Sequence, residues 1–275
     1  MSTLGATLRA AGRPLLIPYV TGGLTAGWAD HLDACQDAGA DAIEIGLPFS
    51  DPMLDGTTIQ QASDRALARG ATVGGILADI EAASRRVSVP LIVMTYANLA
   101  LRLGAPRLAA AGVRGLIVPD LPLEESAPLE AAAAGAGIDL ILLAAPSTPD
   151  DRLRQICRRS RGFVYAVSVM GTTGERDTLP ATAVELVRRV KRLQPDPDGP
   201  ERLPVLIGFG VSTPEHAAEA GRAGDGVIVA SALMRRVLDG ATPDDLRVAV
   251  AALRTALDLG VSSGTPYAEV SGDRR

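Results

Sequence analysis

Residues 41–56 read DAIEIGLPFSDPMLDG. Ile43, Ile45 and Leu47 are strand-like, yet Glu44 stands between the first two, and Asp51 and Asp55 follow closely. A strand sends successive side chains to opposite faces. If Ile43 and Ile45 face a layer of helices, then Ala42, Glu44 and Gly46 face the other way. A carboxylate on that second face needs surroundings that are buried and yet reachable by a reactant. The mouth of a parallel barrel is such a place, and the rest of the chain decides whether there is one.

Seven further apolar runs recur: PLLIPYV (14–20), PLIVMTY (90–96), GLIVPD (115–120), DLILLAA (139–145), FVYAVS (163–168), PVLIGFG (204–210) and GVIVAS (226–231). With DAIEIG (41–46) they make eight runs, each short, rich in Val, Ile or Leu and bounded by Gly, Pro or Asp. These are signals of buried strands. Ala- and Arg-rich stretches of helical spacing separate them, among them GWADHLDACQDAGA, TVGGILADIEAASRR, EESAPLEAAAAGAG, DDRLRQICRR and TAVELVRRVKRL. Thr148-Pro-Asp-Asp and Thr213-Pro-Glu read as N-cap signals. Strands alternating with helices imply parallel pairing through helical crossovers, and eight such units close an α/β fold of the (β/α)8 TIM-barrel type. An open doubly wound sheet is the alternative. Residues 1–260 are expected to form one catalytic domain, with 261–275 a poorly ordered tail.

Two connections are long. One follows the second strand and holds the acids plus a helix-like piece, TTIQQASDRALARG; the other follows the sixth, VMGTTGERDTLP (169–180). Barrels place chemistry at the C-terminal ends of their strands, so both are candidate lids. QPDPDGPERL (194–203) falls on the opposite rim and reads as a flexible connection.

Composition narrows the chemistry. The chain has 275 residues, 47% of them hydrophobic and only 3% aromatic, which suits a core of small branched side chains. A net charge of −5 and no long basic run argue against nucleic acid. No apolar stretch has the length of a membrane span, and the N-terminus carries no secretion signal, so a cytoplasmic protein is expected. The two cysteines, Cys35 and Cys157, are expected to be free thiols. The one lysine, Lys191, sits in a helix, so a Schiff base has no nucleophile. His31 and His216 read as solvated helix residues, outside any Cys/His cluster, so no metal site is expected.

The acid–base candidates left are carboxylates. Glu44, pointing into the barrel mouth, would be desolvated and its pKa raised, which suits proton transfer near neutral pH. No run read as a strand offers it an arginine partner. Asp55 could be a turn residue, Asp51 a loop or cap residue, and Asp120 a structural or a functional one. Tyr19, Tyr96 and Tyr165 lie near strand ends and could line a pocket. GTTG (171–174), GFGVS (208–212) and VASAL (229–233) end or follow strands six to eight, where barrels commonly bind phosphate.

GADAIEIGLPFSDPMLDGTTIQ closely resembles the signature of the tryptophan synthase α subunits. YAN after the third strand, VPDLPLEES, SVMGTTG and GFGVS resemble that family too, in the same order, so that the resemblance spans roughly residues 7–258. It implies a cofactor-free lyase that cleaves indole-3-glycerol phosphate by a retro-aldol step, giving indole and glyceraldehyde 3-phosphate. It implies that Glu44 is the general acid–base residue and that Asp55 accepts the indole N–H. Tyr165 and Thr173 would place substrate and acid, Gly174, Gly210 and Ser231 would cradle phosphate, and Tyr19 and Tyr96 would lie near the indole. A β subunit, in an α2β2 tetramer, is the implied partner. Two readings stay open beside it: a stand-alone lyase releasing indole, and a non-catalytic regulatory partner. The chain departs from the family pattern at Gly23-Leu24-Thr25, at Met53, Leu54 and Thr57, and at Ala230, whose methyl is expected to crowd the anion.

Overall fold

The computed structural model describes residues 3–167, 181–197, 199, 202–208 and 210–262. The strands are β1 (Leu15–Thr21), β2 (Ile43–Gly46), β3 (Leu91–Met94), β4 (Val113–Ile117), β5 (Asp139–Ala144), β6 (Val164–Ala166), β7 (Val205–Ile207) and β8 (Gly226–Val229). They form a closed barrel in chain order, every neighbouring pair parallel, with β1 returning to β8. All eight expected strands are present, and the open-sheet alternative is excluded.

The helices are α1 (Leu4–Arg9), α2 (Asp30–Asp37), α3 (Thr57–Ala68), α4 (Val73–Ala83), α5 (Ala97–Leu103), α6 (Ala105–Ala110), α7 (Ala127–Gly135), α8 (Asp150–Arg159), α9 (Ala181–Leu193), α10 (Pro214–Ala223), α11 (Ser231–Leu238) and α12 (Pro243–Ser262). Two helices, α3 and α4, fill the long connection after β2, while α12 runs past the boundary expected at residue 260. The segment 169–180 and the end of the chain beyond Ser262 lie outside the described residues. Among the described residues no helix is long and apolar enough to cross a membrane.

Alternation divides the core in two. Ile17, Ala42, Ile92, Ile117, Ile141, Leu206 and Ile228 fill the barrel interior, while Ile43, Ile45, Val93, Leu116 and their equivalents meet the helices. Helix α1, not foreseen from the sequence, seals the N-terminal end. The Thr3 hydroxyl caps it by accepting from the Ala6 amide at 3.2 Å. Leu4 and Leu8, one turn apart, join the interior cluster, and the Gly5 amide donates to Asp139 Oδ2 at 3.0 Å. The barrel is therefore closed at the end where its strands begin.

Several local expectations change. Thr148 does not cap α8: its hydroxyl turns back to accept the Ala145 amide at 3.0 Å, and Pro149 is the capping residue. Thr213 does cap α10, accepting from the His216 amide at 3.3 Å. The connection before β7 is tied at its ends, since the Gln194 side chain donates to the Leu203 carbonyl and accepts from its amide, at 2.9 and 2.8 Å. Strand β4 begins earlier than expected and so does carry an arginine, Arg114. The β3–β4 register shifts here, Leu91 pairing with Val113 and Ile92 with Gly115, so Arg114 sits at a β-bulge; what acts on the Glu44 carboxyl is burial and the charge of Asp55.

Candidate active site

Glu44 faces the barrel axis, as alternation in β2 requires, and is 1% exposed. Its neighbours in register are Tyr19 on β1 and Ile92 on β3. Its Oε2 has no hydrogen-bond partner among the described residues. Burial, reinforced by the charge of Asp55, pushes the Glu44 carboxyl up to about 8. At neutral pH the group keeps its proton, and among the described residues no cation is paired with it.

Asp55 arrives from the loop between β2 and α3. Its backbone is held from both sides, the amide donating to the Pro52 carbonyl at 3.1 Å and the carbonyl accepting from Gln60 Nε2 at 2.8 Å. The Tyr96 hydroxyl donates to Asp55 Oδ2 at 3.2 Å and accepts from the Leu54 amide at 3.0 Å. Burial raises the Asp55 carboxyl, and the Tyr96 hydrogen bond opposes that rise. Tyr96 also stacks on Phe49, with ring centroids 4.9 Å apart. Burial lifts its hydroxyl to about 12.

Two more tyrosines line the mouth, and each rests on a glycine at the end of the next strand or just beyond it. A methyl group on Gly46 would collide with the Tyr19 hydroxyl, and one on Gly208 would collide with the Tyr165 ring. Both tyrosines are buried, at 5% and 2% exposure, and burial holds both hydroxyls well above their ordinary range. Tyr19 also feels the charge of Asp55, and Tyr165 that of Glu44. The structure thus gathers Glu44, Asp55, Tyr19, Tyr96 and Tyr165 around one opening. The seating glycines and the Tyr96–Asp55 bond were not visible in the sequence, because both depend on which strands are neighbours.

At the ends of β7 and β8, Gly210 is exposed, has φ +83°, and has open space where a side chain would stand. Its left-handed backbone suits glycine alone. Ser231 is exposed at the first position of α11, where helix amides lack partners within the helix. Ala230, half-buried, packs against the core between barrel and helices. Thr173 and Gly174 lie outside the described residues.

Asp51 is exposed and accepts from Ser50, while Asp120 Oδ1 accepts the Ala97 amide at 2.7 Å. Both histidines, expected in solvent, are buried, at 3% for His31 and 8% for His216. His31 Nδ1 lies 3.1 Å from the Trp28 carbonyl, and His216 Nδ1 3.2 Å from the Ser212 hydroxyl. Cys35 and Cys157 are free and buried in α2 and α8. Lys191, on α9, pairs with Asp225 at 3.1 Å.

What the mouth can do follows from its groups. It can hand one proton to a substrate from a desolvated acid, place a second carboxylate opposite a developing positive charge, and receive an anion at the far side.

The chain matches the family model described as tryptophan synthase alpha chain over residues 6–262. It is 45% identical over 247 residues to the tryptophan synthase alpha chain of Chloroflexus aurantiacus, covering 87% of this chain and 90% of that one. It is 46% identical over 244 residues to that of Carboxydothermus hydrogenoformans, covering 85% and 88%. Among solved structures, a tryptophan synthase of Mycobacterium tuberculosis superposes with TM-score 0.83 at 39% identity, covering 94% of this chain and 98% of that one. A mutant alpha subunit from Pyrococcus furiosus superposes with TM-score 0.78 at 37% identity, covering 88% and 98%.

Proposed function

The chain belongs to the tryptophan synthase alpha chain family, the lyase component of tryptophan biosynthesis, and we propose that Glu44 and Asp55 carry its cleavage of indole-3-glycerol phosphate. Protonated Glu44 delivers its proton to indole C3. The ring becomes cationic, and the charge develops at the nitrogen whose N–H donates to the Asp55 carboxylate. Ionised Glu44 then takes the proton of the glycerol hydroxyl next to the ring. The bond between ring and side chain breaks, its electron pair returns to the ring, and the hydroxyl carbon becomes the aldehyde of glyceraldehyde 3-phosphate. Glu44 ends as it began, protonated, so the cycle consumes no cofactor.

One observation carries this reading: a buried glutamate with an unpartnered oxygen, its pKa lifted to about 8, in the mouth of the barrel. Tyr165 and Thr173 place the substrate and the acid. Tyr19 and Tyr96 bound the ring, while Gly210, Ser231 and Gly174 hold the phosphate by backbone amides and a hydroxyl. Residues 1–260 act as one catalytic domain in the cytoplasm. The exposed apolar side chains of Met53, Leu54 and Leu101 stand on the rim beside the site, 81%, 49% and 60% exposed. Their exposure supports a β subunit covering that rim in an α2β2 tetramer and receiving the indole. The test is indole release from indole-3-glycerol phosphate by the wild type and by Glu44→Gln. The variant should fold and release none; a variant as active as the wild type would remove Glu44 from the mechanism.

A further inference from the structure

The pairing of β3 with β4 runs out at the Thr95 amide, which donates to the Ile117 carbonyl at 3.0 Å. The next amide donor along this edge with a partner on the β4 side is Ala97, the first residue of α5, and no backbone carbonyl receives it. Its N–H is one of the donors that a helix start leaves unmatched. The Asp120 carboxylate, just beyond β4, takes it at 2.7 Å. Asp120 thereby adds one more rung between the two connections, made by a side chain.

That rung fixes a peptide unit whose other end is Tyr96. Tyr96 is the capping residue of α5, with φ −71° and ψ 153°, and its ring leans from there into the mouth. The same ring meets Phe49 on its face and holds the Leu54 amide and the Asp55 carboxylate at its hydroxyl. A tyrosine hydroxyl lies far from its own backbone, so a small rotation of the peptide becomes a large displacement at the oxygen. Misplacing a group in a reacting constellation by about 1 Å can cost about 10²-fold in rate.

We propose that Asp120 is a positioning residue for Asp55: by accepting the Ala97 amide it sets the Tyr96 hydroxyl, which sets the carboxylate opposite the indole nitrogen. The inference rests on the role given to Asp55 above. Asp120 touches no substrate in this account and acts only through Tyr96.

The test is steady-state cleavage of indole-3-glycerol phosphate by wild type, Asp120→Ala, Asp120→Asn, Tyr96→Phe and the Asp120→Ala/Tyr96→Phe double variant. Asp120→Ala should lower kcat about 10-fold with KM within about twofold, a geometric loss smaller than the full misplacement penalty. Asp120→Asn keeps an oxygen to accept the amide and should recover most of that loss. The double variant should be no slower than Tyr96→Phe, because a residue that acts through another adds nothing once that other is gone. Should Asp120→Ala fold poorly, Ala97→Pro breaks the same bond from the donor side. Proline is at home at the first helical position, and the extended Tyr96 backbone suits a following proline. Ala97→Pro should then show the same kcat loss. Multiplicative losses in the double variant, or full kcat in either bond-breaking variant, would overturn the proposal while leaving the lyase reading intact. A wild type without cleavage would overturn both.

Discussion

Asp55, on the loop after β2, bears electrostatically on Glu44, on the strand itself: its charge adds to burial in keeping the Glu44 proton in place. Burial raises both carboxyls, and raises Glu44 the further. Glu44 is fully buried, while Asp55 is half-buried and its rise is opposed by the Tyr96 hydrogen bond. Removing the Asp55 charge should act on both at once. Asp55→Asn should cut kcat/KM about 10²-fold, the scale of losing one preorganised stabilising contact. It should also move the basic limb of the pH–rate profile downward, because Glu44 loses its proton more easily without a negative neighbour. A profile whose basic limb stays in place would show that Glu44 is raised by burial alone.

Glu44 also makes stability depend on pH. Its folded pKa, about 8, stands above the unfolded value of 4.5. The folded state therefore holds the proton more tightly, and that stabilisation is complete below the unfolded pKa and lost as pH rises through the folded one. Glu44→Gln has no proton to lose. Its melting temperature should match the wild type near pH 5 and exceed it above pH 8, as calorimetry at the two pH values would show. Parallel melting curves at both pH values would mean that Glu44 is not held protonated in the fold.

Gly46 is the seat of Tyr19, and the hydroxyl oxygen is the atom nearest a substituted side chain there. Gly46→Ala should destabilise by about 1–3 kcal/mol, as overpacking of a closed site does, and should raise KM. Adding Tyr19→Phe removes the closest atom and should recover part of the stability. Denaturant titration of the two variants measures both effects; a Gly46→Ala chain as stable as wild type would place the Tyr19 ring elsewhere.

The barrel was legible because eight apolar runs with breakers between them have one economical closure. Glu44 was legible because alternation assigns a face to every strand residue, and an acid on the inner face needs a reason. Local pattern failed where a distant element supplies the cover. The His31 and His216 positions read as solvent-facing, yet both are buried, in helices α2 and α10 that both pack against α12, the helix that ends the described chain. Helix α1 escaped notice because its six residues hold only two large apolar side chains, Leu4 and Leu8, too few to show a period. The Tyr96–Asp55 bond joins residues 41 apart, so only the adjacency of β2 and β3 discloses it. Arg114 escaped the strand reading because it sits at a register shift between β3 and β4, which periodicity in the sequence does not show.

The end of the barrel opposite the site carries its own ion-pair cluster, which should bear on stability and not on chemistry. Arg254 of α12 is buried, and its Nη1 donates to the Pro14 carbonyl at 2.8 Å and to Asp41 Oδ2 at 3.1 Å. Asp41, just before β2, also accepts from the Leu16 amide at 2.8 Å and pairs with Arg13 at 3.0 Å. Arg254 thus clamps the last helix to the starts of β1 and β2. Arg254→Ala would leave Asp41 with Arg13 and one amide, so the loss should fall near the lower end of what breaking a buried pair costs, about 3 kcal/mol. For a chain of this size that is a fall of roughly 10 °C in melting temperature. Since Asp41 and Glu44 lie at different ends of the same strand region, kcat measured well below the melt should be unchanged. A large kcat loss with an unaltered melting temperature would show that the clamp reaches the mouth through β2, and that the two ends of the barrel are not independent.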